Sequence, residues 1–422
     1  MKLRTWNVKG AQGEHWPKTA GYFAAFVAVG LQASILGPTL SPLAQHTHSP
    51  LDQISLLFTA AGLGYLLGSF FGGRLYDRVA GHPLMGAMLI LTAAMLALIP
   101  VIPTLWLLTI AWLFLGVASG ALDVGGNTLL VWVHGRQVGP YMNALHFFFA
   151  VGSFLAPLMV AQALALSGDI RGAYWILSVL LLPVALWLFR LPSPRSPSGA
   201  GNPPPEDPQS TGVSMAGAQQ AESVRAAARQ SYERRIVVLV CLLLMLYVGA
   251  EVAFGGWIST YAVALGLSDA TTAAYLTSAF WGALTLGRFL SIPLAARFRP
   301  RMILLTDLLG CLASVGVLLL WSGSAAATWL GTLAMGLAMA SIFPTCITLA
   351  GRRIAITGRV TGRFLVASSL GGMSLPWLIG QLFEPIGPKI MSVAIGIDLV
   401  LALGVLVVLL ATDKPPAVPA NP

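Results

Sequence analysis

Apolar positions in this chain come in unbroken runs of spanning length, separated by short turns rich in Gly, Pro and Arg. A bilayer core takes roughly 20 residues of helix. A run of that length with few charges therefore reads as a membrane span. The runs predict helices over 20–42, 52–74, 83–101, 104–133, 139–167, 171–190, 234–264, 270–297, 300–321, 326–351, 358–383 and 387–411. The expected architecture is an all-α membrane protein of twelve transmembrane helices, arranged as two six-helix pseudo-repeat halves over 20–190 and 234–411. A polar linker over 191–233 separates the halves, with tails at 1–19 and 412–422. Composition agrees. Only 9% of residues are charged, against about a quarter in a soluble domain, and the mean hydropathy is +0.79.

The linker opens with PSPRSPSGAGNPPPEDPQSTG, a composition that cannot bury enough apolar surface to order itself. Its continuation AQQAESVRAAARQSYERR has the make-up of an amphipathic surface helix. Lys and Arg gather in the tails, the linker and the even-numbered loops. The opposite side carries only Arg171 and Lys389, and Arg288 lies within a span. The positive-inside rule then places both termini in the cytoplasm. The net charge of +9 reports this topology, and no concentrated basic module points to nucleic acid. The first residues lack the pattern of a cleaved signal peptide. Cys241, Cys311 and Cys346 fall inside spans and match no metal or redox spacing. Neither a metal nor an organic cofactor is expected.

The halves resemble each other. GSFFGGRLYDR closes the second span and GRFLSIPLAAR the eighth, aligning Gly68 with Gly287 and Arg78 with Arg297 at an offset of 219. Six-helix repeats place a solute site near the midplane between them. Gly64, Gly68 and Gly72 recur every four residues, a small face that lets helices approach. Glycines beside prolines or a tryptophan, as at Gly37, Gly255, Gly256, Gly371 and Gly372, mark positions where spans bend or break.

A carboxylate in mid-bilayer is costly and faces a cavity or a partner. Asp123, Glu251, Asp307 and Asp398 fall in spans. Asp307 is near a helix start, within reach of the interface or Arg301, and Asp398 has no evident partner. Gly116, Gly120, Asp123 and Asn127 make a small and polar stripe on the fourth span. Asn143, His146, Ala150, Ser153 and Pro157 make a second on the fifth. Two such stripes on adjacent antiparallel helices line one wet cavity most economically. An Asn127–Asn143 hydrogen-bonded pair would use the same residues structurally. On the seventh span Phe254, Trp257 and Tyr261 share a face beside Glu251, an arrangement that suits a sugar as well as simple packing. Gln32 and Trp281 join the candidate solute contacts on the same reasoning.

Segments of the chain resemble known transporters. GGRLYDRVAGH resembles the loop signature G-x-L-x-D-R-x-G-R of the major facilitator superfamily. Gly73, Asp77 and Arg78 stand at its places, and Gly81-His82 follows where the signature ends in glycine and arginine. In that family the loop charges latch the halves on the cytoplasmic side, a role the resemblance extends to Asp77 and Arg78, with Arg297 as the repeat counterpart. LDVGGN at 122–127 is similar to the L-E-x-x-x-N pattern of the fucose permease family, whose glutamate couples a proton, with Asp123 in its place. GLQASILGPTL, YVGAEVAFGGWISTY, YLTSAFWGALTLGRFLSIPLA and IFPTCITLAG resemble the sodium-dependent glucose transporter-like branch of that family. Fucose permeases carry a second acid on the first helix. Here Gln32 is the nearest polar group, so Asp123 couples alone or Glu251 supplies the second charge.

The resemblance implies a cation-coupled symporter, with H+ or Na+, of a sugar or similar small polar solute, working by alternating access. The alternative on the same fold is a proton-driven exporter of drugs or lipids. No nucleotide-binding loop or enzyme constellation stands out. A monomer among membrane lipids, in a bacterial inner membrane, is the expected setting.

Overall fold

The computed structural model describes residues 8–194, 216–356 and 358–412. The first half comprises α1 (Val8–His46), α2 (Leu51–Ile54), α3 (Leu56–Tyr76), α4 (Gly81–Leu98), α5 (Leu105–His134), α6 (Val138–Ser167) and α7 (Arg171–Arg190). The second comprises α8 (Ala216–Ala264), α9 (Ala270–Arg297), α10 (Pro300–Leu320), α11 (Ala325–Met339), α12 (Ile342–Gly351), α13 (Gly358–Ile386) and α14 (Ile390–Ala411). The second expected span is thus split into α2 and α3, and the tenth into α11 and α12. α8 begins well inside the stretch read as linker, and most of that linker's opening lies outside the described residues.

Eleven segments are long and apolar enough to cross a membrane by composition, among the described residues. α9, expected as the eighth span, falls short because threonines, serines and Arg288 interrupt it. Its polar side chains are used against the other half. Ser278 Oγ donates to the Phe154 carbonyl at 2.9 Å, and Thr285 Oγ1 to that of Ala150 at 3.3 Å. At its start, hydrogen bonds from the Thr272 hydroxyl and N–H hold the Asp269 carboxyl below the usual carboxylate range.

Each half packs by the same scheme. In the first, α3 lies on α5, α1 on α6 and α4 on α7. In the second, α9 lies on α11, α8 on α13 and α10 on α14. The α3–α5 contact shows why the glycine stripe is there. A Cβ on Gly68 would sit 2.0 Å from the Val117 carbonyl oxygen, and one on Gly120 would sit 2.2 Å from that of Tyr65. Backbone meets backbone, which only a side chain of a single hydrogen allows.

The halves meet along α1–α8, α6–α9 and α3–α13. The first pair crosses on the pseudo-twofold axis. Ser41 Oγ lies 3.3 Å from Thr260 Oγ1, 219 positions apart. One turn earlier, Gly37 abuts Gly255 and Gly256. The repeat offset read from Gly68 and Gly287 is therefore the symmetry that brings these positions face to face. With twelve passes, the start of α1 and the end of α14 lie on one face, here the terminal face, and the α2 turn lies on the far face.

Candidate functional site

The second polar stripe shows where the bundle is open. On α6, Ser153 Oγ donates to the Gly30 carbonyl on α1, and the Ala150 carbonyl receives Thr285 from α9. The stripe is packed there. Asn143 and His146, on the same stripe toward the terminal face, are exposed. The space between the halves is thus closed beyond Ala150 and open to the terminal face below it.

Asp123 sits half-buried on this space. Tyr65 on α3 donates its hydroxyl to Oδ2 at 2.5 Å. Asn127, one turn along α5, donates its amide to Oδ1 at 3.0 Å and to the Asp123 carbonyl at 2.8 Å. Asn127 is therefore committed to Asp123, and the alternative pairing with Asn143 is not formed. Across the cavity, Glu251 on α8 faces Arg288 on α9, with Arg288 Nη2 3.6 Å from Oε1. His146 lies between, within electrostatic reach of both Asp123 and Arg288. Asp123 and Glu251 thus place one carboxylate in each half, with the His146 imidazole and the Arg288 guanidinium between them.

Gln32 is buried and donates Nε2 to the Leu115 carbonyl at 2.6 Å, while its Oε1 has no partner. It stands 219 positions before Glu251, so the repeat pairs an amide in the first half with an acid in the second. Trp281, two turns before Arg288 on α9, is buried with its Nε1 unpartnered among the described residues.

Trp257 and Tyr261 are not brought to this cavity. Trp257 is fully buried in the far-face seam, stacked on Phe383 at 5.0 Å, and its Nε1 donates to the Pro376 carbonyl at 3.0 Å. Tyr261 is fully buried, with its hydroxyl directed at the Leu318 carbonyl. Beyond the seam lies a separate cavity of about 540 Å³, lined by Ser41, Gln45, His46, Asp169, Arg171 and Ser259 among others.

At the terminal face Asp77, Arg78 and Arg297 are exposed, and none belongs to an ion pair among the described residues. Gly73 stands near only Val124. His82, just after the loop signature, is fully buried. Its ring bridges the Tyr22 hydroxyl at 2.7 Å and the Leu191 carbonyl at 3.1 Å. Asp307 does not reach Arg301. It accepts the Ser341 hydroxyl instead. Asp398 is buried with Oδ2 unpartnered.

Sequence reasoning missed Arg288, Tyr65 and Tyr247. Arg288 carried a signal, since an arginine inside a span marks a function by default, but it was counted only toward topology. Tyr65 and Tyr247 carried none, because a tyrosine in a span is unremarkable until its hydroxyl is placed.

The family model for the Major Facilitator Superfamily matches residues 22–376. The chain belongs to this superfamily. Among relatives, it is 31% identical over 392 residues to sodium-dependent glucose transporter 1A of Mus musculus, covering 85% of this chain and 88% of that one. It is 32% identical to sodium-dependent glucose transporter 1 of Xenopus laevis, covering 83% and 72%. Among solved structures, a D-xylose-proton symporter superposes with a TM-score of 0.71 at 13% identity, covering 93% and 97%. That likeness shows the superfamily's fold. The all-α, twelve-pass architecture expected from the hydrophobic runs is the one found.

Proposed function

We propose that this chain is a secondary active symporter that moves a sugar, or a similarly polar small solute, with a cation by alternating access. The observation that carries the reading is the Tyr65–Asp123–Asn127 cluster, set on a cavity that is closed at one face and open at the other. Relatives named as sodium-dependent glucose transporters support the solute class. Asp123 is the coupling group, with Glu251 held against Arg288 as the second charge. Gln32 Oε1 and Trp281 Nε1 are buried polar atoms without partners, which a solute hydroxyl satisfies. Asn143 and His146 complete the contacts on the open side. Trp257 and Tyr261 act through the far-face seam. Lys and Arg placement puts the terminal face in the cytoplasm, so the state described opens inward, and Asp77, Arg78 and Arg297 engage when that side closes.

The physical basis of coupling is the cost of an unpaired carboxylate in an apolar surround. Loading a cation neutralises Asp123 and lets the cavity occlude. The two conformations then differ in cation affinity, which is the condition for a gradient to do work. Both Asp123 oxygens already accept donors. Either cation changes this shell: a proton makes Asp123 a donor that needs an acceptor in it, and Na+ needs oxygen ligands in place of the Tyr65 and Asn127 hydrogens.

The test is Asp123→Asn in liposomes, with proton and sodium gradients imposed one at a time. Gradient-driven accumulation is expected to vanish while downhill exchange persists, since amide and acid are alike in shape and reach. Normal accumulation by the asparagine protein would overturn the assignment.

A further inference from the structure

Span ten is broken between α11 and α12, and the cause is in the sequence. Pro344 has no N–H for the Ala340 carbonyl, and its ring crowds that oxygen. The break leaves carbonyls at the end of α11 to be satisfied from outside the helix. Tyr247 on α8 meets one of them. Its hydroxyl, fully buried, donates to the Met339 carbonyl at 3.1 Å. A second tie holds the other side of the joint, where Ser341 Oγ donates to the Asp307 carboxylate on α10.

Tyr247 also stands one turn before Glu251 on the same face of α8, and in the arrangement found here its hydroxyl is bonded to Met339 and not to that carboxylate. A tyrosine hydroxyl has one proton to give. Here Arg288 stands against Glu251 at 3.6 Å, Glu251 Oε1 makes no hydrogen bond, and the Tyr247 proton goes to Met339. We propose that Tyr247 transmits the charge state of Glu251 to the joint in span ten, by giving its single proton either to the Met339 carbonyl or to the Glu251 carboxylate. When Arg288 is drawn away, toward His146 and Asp123 or toward solute, the bare carboxylate claims the Tyr247 proton. The last carbonyl of α11 is then released from α8. α12 keeps its ties to Asp307 on α10 and, through Arg353, to the Leu409 carbonyl on α14, but without the hold on α11 it swings toward the first half, closing the terminal face. When Glu251 is paired or neutral, the proton returns to Met339 and the joint is fixed in the open arrangement found here. Tyr247 is thus a positioning residue for the transport cycle. The inference rests on the alternating-access reading above.

The test reads conformation rather than transport. Spin labels go on Gln137→Cys, in the exposed turn after α5, and Arg352→Cys, at the exposed end of α12, with Cys241, Cys311 and Cys346 replaced by alanine. Pulsed electron resonance then gives the ratio of open to closed distances without solute or gradient. Glu251→Gln is expected to raise that ratio by about threefold or more in the Tyr247 protein. In Tyr247→Phe, which keeps the ring, the same substitution should change it by less than about 1.5-fold, the coupling being carried by the missing hydroxyl. An equal change in both backgrounds, or none in the Tyr247 protein, overturns the proposal. Arg288→Gln supplies a second measurement that does not depend on the phenylalanine variant. It bares Glu251 and should lower the ratio, and a rise instead overturns the proposal. These distances are independent of uptake. A coupled joint in a protein that accumulates no sugar would sink the symporter reading and leave the inference standing, and the reverse outcome would do the opposite.

Discussion

Trp257 is held on several sides. Its ring stacks on Phe383 at 5.0 Å, lies 6.2 Å from Phe58 of the other half, and its N–H is spent on the Pro376 carbonyl. Gly380 lies close to the ring, where a Cβ would come within 3.1 Å. A side chain this enclosed contributes through packing, and truncating a buried tryptophan costs about 3–5 kcal/mol. Trp257→Ala is therefore expected to lower Tm by several degrees, and Trp257→Phe to recover most of the loss because the ring stack survives. An unchanged Tm for the alanine variant would show that the seam does not depend on this ring. The i, i+3, i+7 face of Phe254, Trp257 and Tyr261 was legible in the sequence. Which neighbour that face meets was not, because periodicity fixes a direction on one helix and says nothing of what lies opposite. Asp123 was legible for a different reason. An ionised group in a span needs an explanation wherever it points, and the same argument would have found Arg288.

At the scale of the element, most spans were readable to within a few residues because lipid leaves the backbone few options, while α1 and α8 begin well before the apolar runs, at Val8 and Ala216. The breaks were not. Pro344 predicts one by its missing N–H, but the turn at Ser55 has no proline and depends on tertiary contact with α13. Glycine roles separate in the same way. Gly68 and Gly73 lie on one helix, and both look like members of a motif. A Cβ on Gly68 would meet the Val117 carbonyl at 2.0 Å, whereas one on Gly73 would find only Val124 Cγ1, at 3.9 Å. Backbone cannot step aside as a side-chain tip can, and overpacking of this kind costs about 1–3 kcal/mol or more. Gly68→Ala should express poorly or melt several degrees early. Gly73→Ala should match the parent in thermal stability, so that any transport defect in it is one of mechanism. Equal melting behaviour in the two variants would mean that α3 and α5 can separate without loss.

For the whole molecule, the repeat offset of 219 was visible in two glycines and two arginines. Its consequence was not, since only the fold shows that positions 41 and 260 meet on the axis. Alternating access about that axis requires the seam to open on the far side as the terminal side closes, so the far-side contacts must be strong enough to hold and weak enough to break. The polar part of that seam is small and specific. Glu384 on α13 accepts the Leu51 N–H at 3.0 Å, at the start of the α2 turn. Gln381 donates to the Asp52 carbonyl at 2.7 Å and lies 3.4 Å from Ser55 Oγ. Two side chains of the second half thus clamp one turn of the first. A hydrogen bond is worth about 1 kcal/mol net, somewhat more where one partner is charged. Losing both should shift the balance toward the outward-open state by about tenfold or more, since 1.4 kcal/mol is a factor of ten. Spin labels on Leu166→Cys and Gly323→Cys, exposed far-face positions of the two halves, report that balance as a ratio of distances. Glu384→Ala with Gln381→Ala is expected to lengthen the dominant distance. Either single change should have an intermediate effect, because the two bonds fall on the same turn and share the work of holding it. If the double variant keeps the parental distribution, the far face is held by the apolar seam around Trp257, the Gly37–Gly256 crossing and the polar ties of Ser41 to Thr260 and Gln162 to Tyr275. The switch between states would then have to be driven entirely from the charged groups at the centre.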